Sequence, residues 1–204
     1  MNVGYESHKM VVDSFKKECN IDQFVFLKPL TPEATKHVDM FATFLSPGHM
    51  LVAKVDPRLD PVNSRTLDEN AAFLKTLKVD GQPMRVDRIE IPARQGKYWS
   101  PYTNVIFAND LVLLPVYKTD SPYLINNAVK TYQRLLPGKH VDTIDLTTMQ
   151  KLEGALHCMS INVPEYVDLP AGTLSIAQAK QVLAGTLALE KPKRLLKNRD
   201  VRAG

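Results

Sequence analysis

The chain has 204 residues, of which 44% are hydrophobic and 24% charged, and a formal net charge of +4. This length can bury a sizeable core and predicts one domain, at most two. The charge is localised, because residues 190–204 hold six basic and two acidic side chains, which account for all of it. The body of the chain is therefore neutral. We expect no nucleic-acid binding by the body, and a solvated, disordered basic tail.

The sequence disfavours a membrane-spanning protein and a secreted one, because it lacks the signals of both. No segment approaches the run of about eighteen apolar residues that a membrane span needs, and the first residues show no signal-peptide pattern. The two cysteines, Cys19 and Cys158, are too few for a disulfide framework. We therefore expect a cytoplasmic protein in a reducing setting, without membrane association.

The first elements in chain order are a helix, a strand and a hairpin. Val11–Lys17 is typical of the end of a helix, and the apolar run Phe24–Leu27 predicts a short buried strand. His37–Leu45 and Met50–Val55 are apolar-rich segments separated by a Ser-Pro-Gly turn signal. These two segments predict a hairpin.

The order hairpin, helix, strand then occurs twice. After the first hairpin, a helical pattern opens at Asp60 and ends before Gly81, and the alternating segment Met84–Ile91 predicts a strand. The second set consists of a hairpin of Tyr102–Ala108 with Leu111–Tyr117, a helix over Ile125–Leu136 and a strand over His140–Ile144. Val86 and Val141 occupy matching places, 55 residues apart. This is an internal repeat.

The predicted fold class is therefore α/β (α+β), built of repeated ββαβ units that can pack around a central axis as propeller blades do. Two units are full, and partial units lie at each end; Ala155–Val163 predicts the first strand of the last one. We expect one repeat domain over residues 1–170. Residues 171–204 are expected to form a helical extension followed by the basic tail.

Three polar side chains stand out as candidates for chemistry. Cys158, His37 and Asp39 supply a thiol, an imidazole and a carboxylate from distant, apolar surroundings, which are the parts of a thiol-nucleophile site. On a strand, His37 and Asp39 would share one face. The alternatives are an inert core cysteine and a hydrogen-bonded edge pair. His157 would face the opposite side from Cys158, in a packing or supporting role.

Several motifs resemble one enzyme family, the agmatine deiminases and the Porphyromonas-type peptidyl-arginine deiminases. They cover about Phe15 to Pro164, and they are His37-Val38-Asp39-Met40-Phe41 with Phe44-Leu45-Ser46-Pro47, Tyr102-Thr103-Asn104 with Phe107-Ala108-Asn109, Leu135-Leu136-Pro137-Gly138, and Gly154-Ala155-Leu156-His157-Cys158 with Asn162-Val163-Pro164. The resemblance implies the pentein fold, a β/α-propeller of five ββαβ units, of which this chain would hold the C-terminal part. It also implies hydrolysis of a guanidinium, that of agmatine or protein arginine, to a ureido group with release of ammonia.

The resemblance assigns a role to each candidate residue. Cys158 would be the nucleophile that forms a covalent amidino intermediate, and His37 would protonate the departing ammonia and activate water. Asp39 would bind the guanidinium through a bidentate carboxylate, and Asn104 would be a positioning and substrate-binding residue. No metal or cofactor is required. Trp99 is expected to pack within its loop.

The chain also departs from the family pattern. It lacks the N-terminal Arg-Asp-x-Gly-Pro motif whose aspartate is the second guanidinium ligand, and about two of the five units are missing. Lys36 stands where the agmatine branch usually has glycine. Two alternatives to an active deiminase therefore stay open: an impaired remnant that acts as a binding module, and a fragment completed by a second copy or another chain.

Overall fold

The computed structural model describes residues 8–19, 21, 23–150 and 155–161, and all of them belong to a compact unit that ends at Ile161. The first helix, α1, covers His8–Cys19. No helix among the described residues combines the length and apolar character that a membrane crossing requires.

The first ββαβ repeat lies between residues 42 and 90. Its elements are β1 (Ala42–Ser46), β2 (His49–Lys54), α2 (Pro61–Thr76), a short hairpin of β3 (Lys78–Val79) with β4 (Gln82–Pro83), and β5 (Arg85–Glu90). β2 is the central strand of a three-stranded sheet, antiparallel to β1 and parallel to β5. The hairpin, helix and strand predicted for this segment are confirmed, and the structure shows that the strand is parallel to β2.

The second repeat has the same topology and lies between residues 106 and 145. Its elements are β6 (Ile106–Ala108), β7 (Leu111–Val116), α3 (Pro122–Leu135) and β8 (His140–Asp145), with the short α4 (Thr147–Gln150) behind it. β7 is central, antiparallel to β6 and parallel to β8. Val86 pairs with Met50 and Val141 with Val112, so the two valines that indicated the repeat occupy equivalent ladder positions.

Both long helices begin with the same local chemistry. Asp60 caps α2 by accepting a hydrogen bond from the Asn63 N–H, and Ser121 caps α3 by accepting one from Tyr123. Each cap is followed by a proline, whose missing N–H and fixed φ suit the first helical position. α3 therefore starts three residues before the predicted Ile125.

The core lies where the helices cover the central strands. Leu51, Val52 and Ala53 of β2 are all fully buried, so this strand is covered on both faces. On α2 the buried apolar side chains follow helical spacing: Leu67, Ala71 and Leu74. Burial of an apolar side chain of this size contributes about 1.5–3 kcal/mol.

The strand predicted over Phe24–Leu27 is wrong. This segment is not part of a β-strand, and Val25 and Phe26 are 43% and 48% exposed. The main chain that follows is held by side chains of α2 instead. Asn70 bonds both the N–H and the carbonyl of Lys28, at 2.9 and 2.8 Å, and Asn63 does the same for Thr31, at 2.8 and 2.7 Å.

The strand predicted from Ala155 is also wrong over the described residues. Residues 155–161 form a turn that contains a 3-10 helix, His157–Met159. The predicted helical extension and tail, 171–204, lie outside the described residues. Trp99 is 5% exposed, and its indole N–H donates to the Pro32 carbonyl at 3.0 Å, so it contacts a segment outside its own loop.

Candidate active site

The three candidate side chains meet in space. One His37 ring nitrogen, one Asp39 carboxylate oxygen and Cys158 Sγ all lie within 4.8 Å of one another. His37 and Asp39 precede β1 of the first repeat, whereas Cys158 follows the second repeat. The site therefore forms where the start of one repeat approaches the segment after the other. His37 and Cys158 are exposed, and Asp39 is partly buried.

The backbone that carries His37 and Asp39 differs from the prediction. The expected strand starts only at Ala42, and the two residues belong instead to a 3-10 turn, Val38–Met40, with His37 as its N-cap. The main chain of Asp39 is bound by a side chain, because Thr103 Oγ1 donates to the Asp39 carbonyl at 2.9 Å. The turn, and not a shared strand face, sets the position of both side chains.

A glutamate organises the loop immediately before His37. The Glu33 carboxylate accepts hydrogen bonds from Thr35 N–H at 2.9 Å, from Thr35 Oγ1 at 2.7 Å, and from the Lys36 N–H. Thr35 Oγ1 in turn lies 3.4 Å from the His37 N–H, which donates to it. The loop is thus closed by a charged acceptor, which makes stronger hydrogen bonds than a neutral one.

Lys36 adopts a backbone conformation that favours glycine. Its φ is +55°, in the left-handed region that few residues other than glycine, asparagine and aspartate occupy. The glycine that the family resemblance implies at this position therefore has a physical reason. The Lys36 side chain is exposed and lines a cavity of about 470 Å³ beside the site, together with Met40, Trp99 and Ala155.

Asn104 connects Cys158 to the second repeat. It is fully buried, its side-chain oxygen accepts the His157 N–H at 2.6 Å, and its side-chain nitrogen lies 3.9 Å from Cys158 Sγ. A thiol or thiolate is a weak acceptor at this distance. The hydrogen bond to His157 is the firmer of the two contacts, and it fixes the turn that carries the thiol.

His157 lies in the site, contrary to its predicted orientation. Its Nδ1 is 3.2 Å from Asp39 Oδ2, and its side chain is 59% exposed. The prediction assumed a strand, in which neighbours point to opposite faces, whereas the observed 3-10 turn places His157 and Cys158 on the same side as Asp39. His157 is the main site residue whose position sequence reasoning missed.

The second carboxylate oxygen of Asp39 is buried. Asp39 Oδ1 has no hydrogen-bond partner among the described residues. A desolvated carboxylate oxygen without a donor costs free energy, of the order of 1–3 kcal/mol or more. The arrangement therefore favours a cationic or hydrogen-bond-donating group beside Asp39.

A buried polar network supports the loop that carries Thr103 and Asn104. Asp120 accepts hydrogen bonds from Tyr102 Oη at 2.7 Å and Ser100 Oγ at 2.9 Å. Burial raises the pKa of Asp120, although these two hydrogen bonds oppose the rise. Burial is the largest cause that raises the pKa of Tyr102, and the hydrogen bond to the Asp120 carboxylate raises it further. The Tyr102 hydroxyl therefore keeps its proton and donates it to Asp120 in a hydrogen bond. Nothing in the sequence distinguished Asp120 from other acidic residues.

Tyr117 is a second buried phenol. Burial is the largest cause that raises its pKa, and charge interactions with Asp120 and then Cys158 raise it further. Its hydroxyl is buried and has no hydrogen-bond partner among the described residues. The phenol therefore remains protonated beneath the site.

Comparison with known proteins identifies the class. Residues 4–164 match the model of the Porphyromonas-type peptidyl-arginine deiminase family. A Mycoplasma capricolum subsp. capricolum protein provisionally named agmatine deiminase is 24% identical over 182 residues, covering 78% of this chain and 49% of that protein. A Legionella pneumophila subsp. pneumophila protein of the same provisional name is 28% identical over 138 residues, covering 65% and 39%.

Solved structures with the same fold have related names. A provisionally named arginine deiminase from Porphyromonas gingivalis superposes with a TM-score of 0.69 at 25% identity, over 80% of this chain and 49% of that one. The agmatine deiminase of Enterococcus faecalis superposes with a TM-score of 0.65 at 19% identity, over 75% and 47%. The chain spans about half the length of the relatives it matches.

The fold and the site thus define a mixed α/β protein with a thiol, an imidazole and a carboxylate at the junction of its repeats. The chain belongs to the Porphyromonas-type peptidyl-arginine deiminase family, which its sequence motifs predicted.

Proposed function

We propose that the chain carries the thiol centre of a deiminase that hydrolyses a guanidinium to a ureido group and ammonia. The observation that supports this most is the cluster of His37, Asp39 and Cys158, whose reactive atoms lie within 4.8 Å although the chain separates Cys158 from the other two by more than a hundred residues. A thiol grouped with an imidazole and an orienting carboxylate is a recurring arrangement for covalent catalysis.

The reaction proceeds in two halves. The Cys158 thiolate attacks the guanidinium carbon and forms a C–S bond, and one C–N bond then breaks as His37 delivers a proton to the departing ammonia. In the second half, His37 takes a proton from water, the oxygen adds to the same carbon, and the C–S bond breaks. The products are a ureido compound and the regenerated thiol, so that one water is consumed for each ammonia released.

Asp39 is assigned to binding the substrate. Its Oδ1, which has no hydrogen-bond partner within the described part of the chain, suits a guanidinium N–H, because a charge-assisted hydrogen bond would satisfy a buried acceptor. The Oδ2–His157 contact at 3.2 Å and the Thr103 contact with the Asp39 carbonyl keep the carboxylate in place. Asn104 acts as a positioning residue through the turn that carries Cys158.

Agmatine and the arginine side chain are the two candidate substrates, as the names of the relatives suggest. We further propose that the two repeats are two blades of a pentein propeller, in which further units would complete the ring around the site. The solved structures that share this fold support the proposal, and this chain superposes on about half of each of them.

A second candidate function is a binding module derived from such an enzyme. It is favoured by the make-up of the cluster, which holds one carboxylate among the described residues, because a single carboxylate binds a guanidinium less firmly than two. In this case the protein would bind guanidinium compounds without turning them over.

The test is release of ammonia and of the ureido product from agmatine and from arginyl peptides. Cys158→Ala should abolish turnover, whereas Cys19→Ser, which alters the exposed cysteine at the end of α1, should retain it. Folding of each variant is verified by circular dichroism. Equal turnover by the wild type and Cys158→Ala contradicts the proposed chemistry. No turnover by folded wild type, with saturable binding of agmatine, supports the binding module.

A further inference from the structure

The same cluster offers three different kinds of metal-ligating atom. Cys158 supplies a sulfur, His37 an imidazole nitrogen and Asp39 a carboxylate oxygen, all within 4.8 Å of one another. Hard cations such as Mg²⁺ and Ca²⁺ prefer oxygen ligands alone, whereas a mixed sulfur, nitrogen and oxygen set suits Zn²⁺. We propose that His37, Asp39 and Cys158 bind Zn²⁺ through these three atoms.

The distances allow this with small adjustments. Tetrahedral zinc has bonds of about 2.0–2.3 Å, so two of its ligands lie roughly 3.3–3.8 Å apart. The present separations, at most 4.8 Å, would close by about 1 Å, a movement that rotation of exposed side chains supplies. His37 and Cys158 are the exposed members of the cluster. Asp39 is partly buried and therefore the least mobile of the three, so the ion would bind next to it.

The surroundings of Asp39 favour a cation. Oδ1 is buried without a hydrogen-bond partner among the described residues, and Oδ2 is engaged by His157 at 3.2 Å. A metal bond to Oδ1 would satisfy that oxygen, while the imidazole keeps the carboxylate oriented, as outer ligands do in metal sites. Three protein ligands leave the fourth position to water.

A bound ion would occupy the place assigned to the substrate. Zn²⁺ would bind the thiol as thiolate and the carboxylate oxygen that we assign to the guanidinium, so the two cations would exclude each other. This competition rests on the proposed function, whereas zinc binding itself does not. The ion is thus an inhibitor and has no part in the reaction.

The experiment titrates the full chain with Zn²⁺ in competition with a chromophoric chelator. The wild type is expected to bind one equivalent, and Cys158→Ala and His37→Ala are each expected to bind it at least 10-fold more weakly, a loss typical of perturbed metal sites. Cys19→Ser and His140→Ala are the matched controls, because both residues are exposed and lie elsewhere. A loss of less than tenfold in either site variant, or an equal loss in a control, overturns the proposal.

Two further readouts separate this site from misfolding and from the enzyme hypothesis. Co²⁺ added to the wild type should give a thiolate-to-cobalt charge-transfer band that Cys158→Ala lacks and that Asp39→Asn weakens; absence of the band in the wild type also overturns the proposal. Agmatine added to the zinc-loaded chain should weaken the apparent zinc affinity. If zinc binds as expected and agmatine has no effect on it, the metal site is supported, and the proposal that the substrate binds at Asp39 and Cys158 is contradicted.

Discussion

The side chain of Asn104 fixes the main chain of His157: its oxygen accepts the His157 N–H at 2.6 Å, although 53 positions separate the two residues. Since His157 immediately precedes Cys158, the position of the proposed nucleophile depends on a buried side chain at the start of the second repeat. The relationship also brings the His157 imidazole to Asp39.

Removal of this bond should impair activity more than substrate binding. Asn104→Ala leaves the His157 N–H without its partner and frees the turn, and displacement of a reacting group by about 1 Å costs on the order of 100-fold in rate. We expect kcat to fall by about this factor with KM changed less. Asn126→Ala, on the exposed face of α3, is the control. Unchanged kcat in a folded Asn104→Ala variant would show that Asn104 has no positioning role.

The Glu33 loop should control the placement of His37. The two carboxylate oxygens of Glu33 accept three hydrogen bonds. Glu33→Gln retains the shape of the side chain but removes its charge and replaces one of these acceptor oxygens with an NH₂ group. We expect kcat to fall by roughly 10- to 100-fold, because the imidazole loses its fixed approach. Steady-state kinetics beside Glu69→Gln, which removes only an exposed ion pair with Lys28, provides the comparison.

Substitution of Lys36 by glycine should raise both stability and affinity for a cationic substrate. Glycine relieves the left-handed conformation at φ +55°, which we expect to stabilise the fold by about 1 kcal/mol or less, because glycine also gains entropy in the unfolded chain. Loss of a positive charge beside the cavity should lower KM for agmatine.

A second variant separates the two effects of Lys36. Lys36→Gln removes the charge but keeps the backbone strain, so it should lower KM without raising the urea midpoint. If Lys36→Gly and Lys36→Gln behave alike in both measurements, the backbone explanation is wrong.

Protonation of Asp120 should make stability depend on pH in an unusual direction. Its folded-state pKa is raised above the ordinary value of 3.8, so the folded protein binds the proton more tightly than the unfolded chain. The contribution of this group is therefore largest below pH 3.8 and is lost as pH rises through the folded-state pKa. Most carboxylates that gain partners on folding behave in the opposite way.

Urea unfolding of the wild type and Asp120→Asn across pH 3 to pH 7 measures this contribution. The free energy of unfolding of the wild type, relative to the variant, should decrease with rising pH in the interval just above pH 3.8. Asp110→Asn, a variant at a surface turn, controls for the general effect of a lost charge. A difference that stays constant or increases with pH would show that the environment of Asp120 does not disfavour its charge.

Local chemistry explains which parts of the fold were predictable. Asp60 and Ser121 cap the two long helices, and each cap is followed by a proline. The strand Arg85–Glu90 has an alternating sequence pattern, so residues near in sequence specify all three elements. Phe24–Leu27 has the composition of a strand but is not assigned as one. Its neighbours bind to Asn63 and Asn70 of α2, a long-range relationship that composition does not contain.

In the site, too, residue identities were predictable from the sequence, whereas long-range contacts were not. Cys158, His37, Asp39 and Asn104 were chosen from residue types and family motifs, and the structure brings all four together. The roles of Thr103, Asp120 and Glu33 were not predicted, because each acts through a hydrogen bond to a particular atom. His157 was assigned the wrong side, since its direction depends on a turn that Asn104 holds.

The sequence by itself determined the family, the repeated ββαβ order and the choice of candidate site residues, because these depend on motifs, local periodicity and side-chain chemistry. Only the tertiary structure decided how those groups face one another. Two 3-10 turns replace the expected strands, and both are set by buried side chains from elsewhere in the chain. A turn of three residues has too few hydrogen bonds of its own to fix a conformation, so the packed loop Ser100–Asn104 provides them.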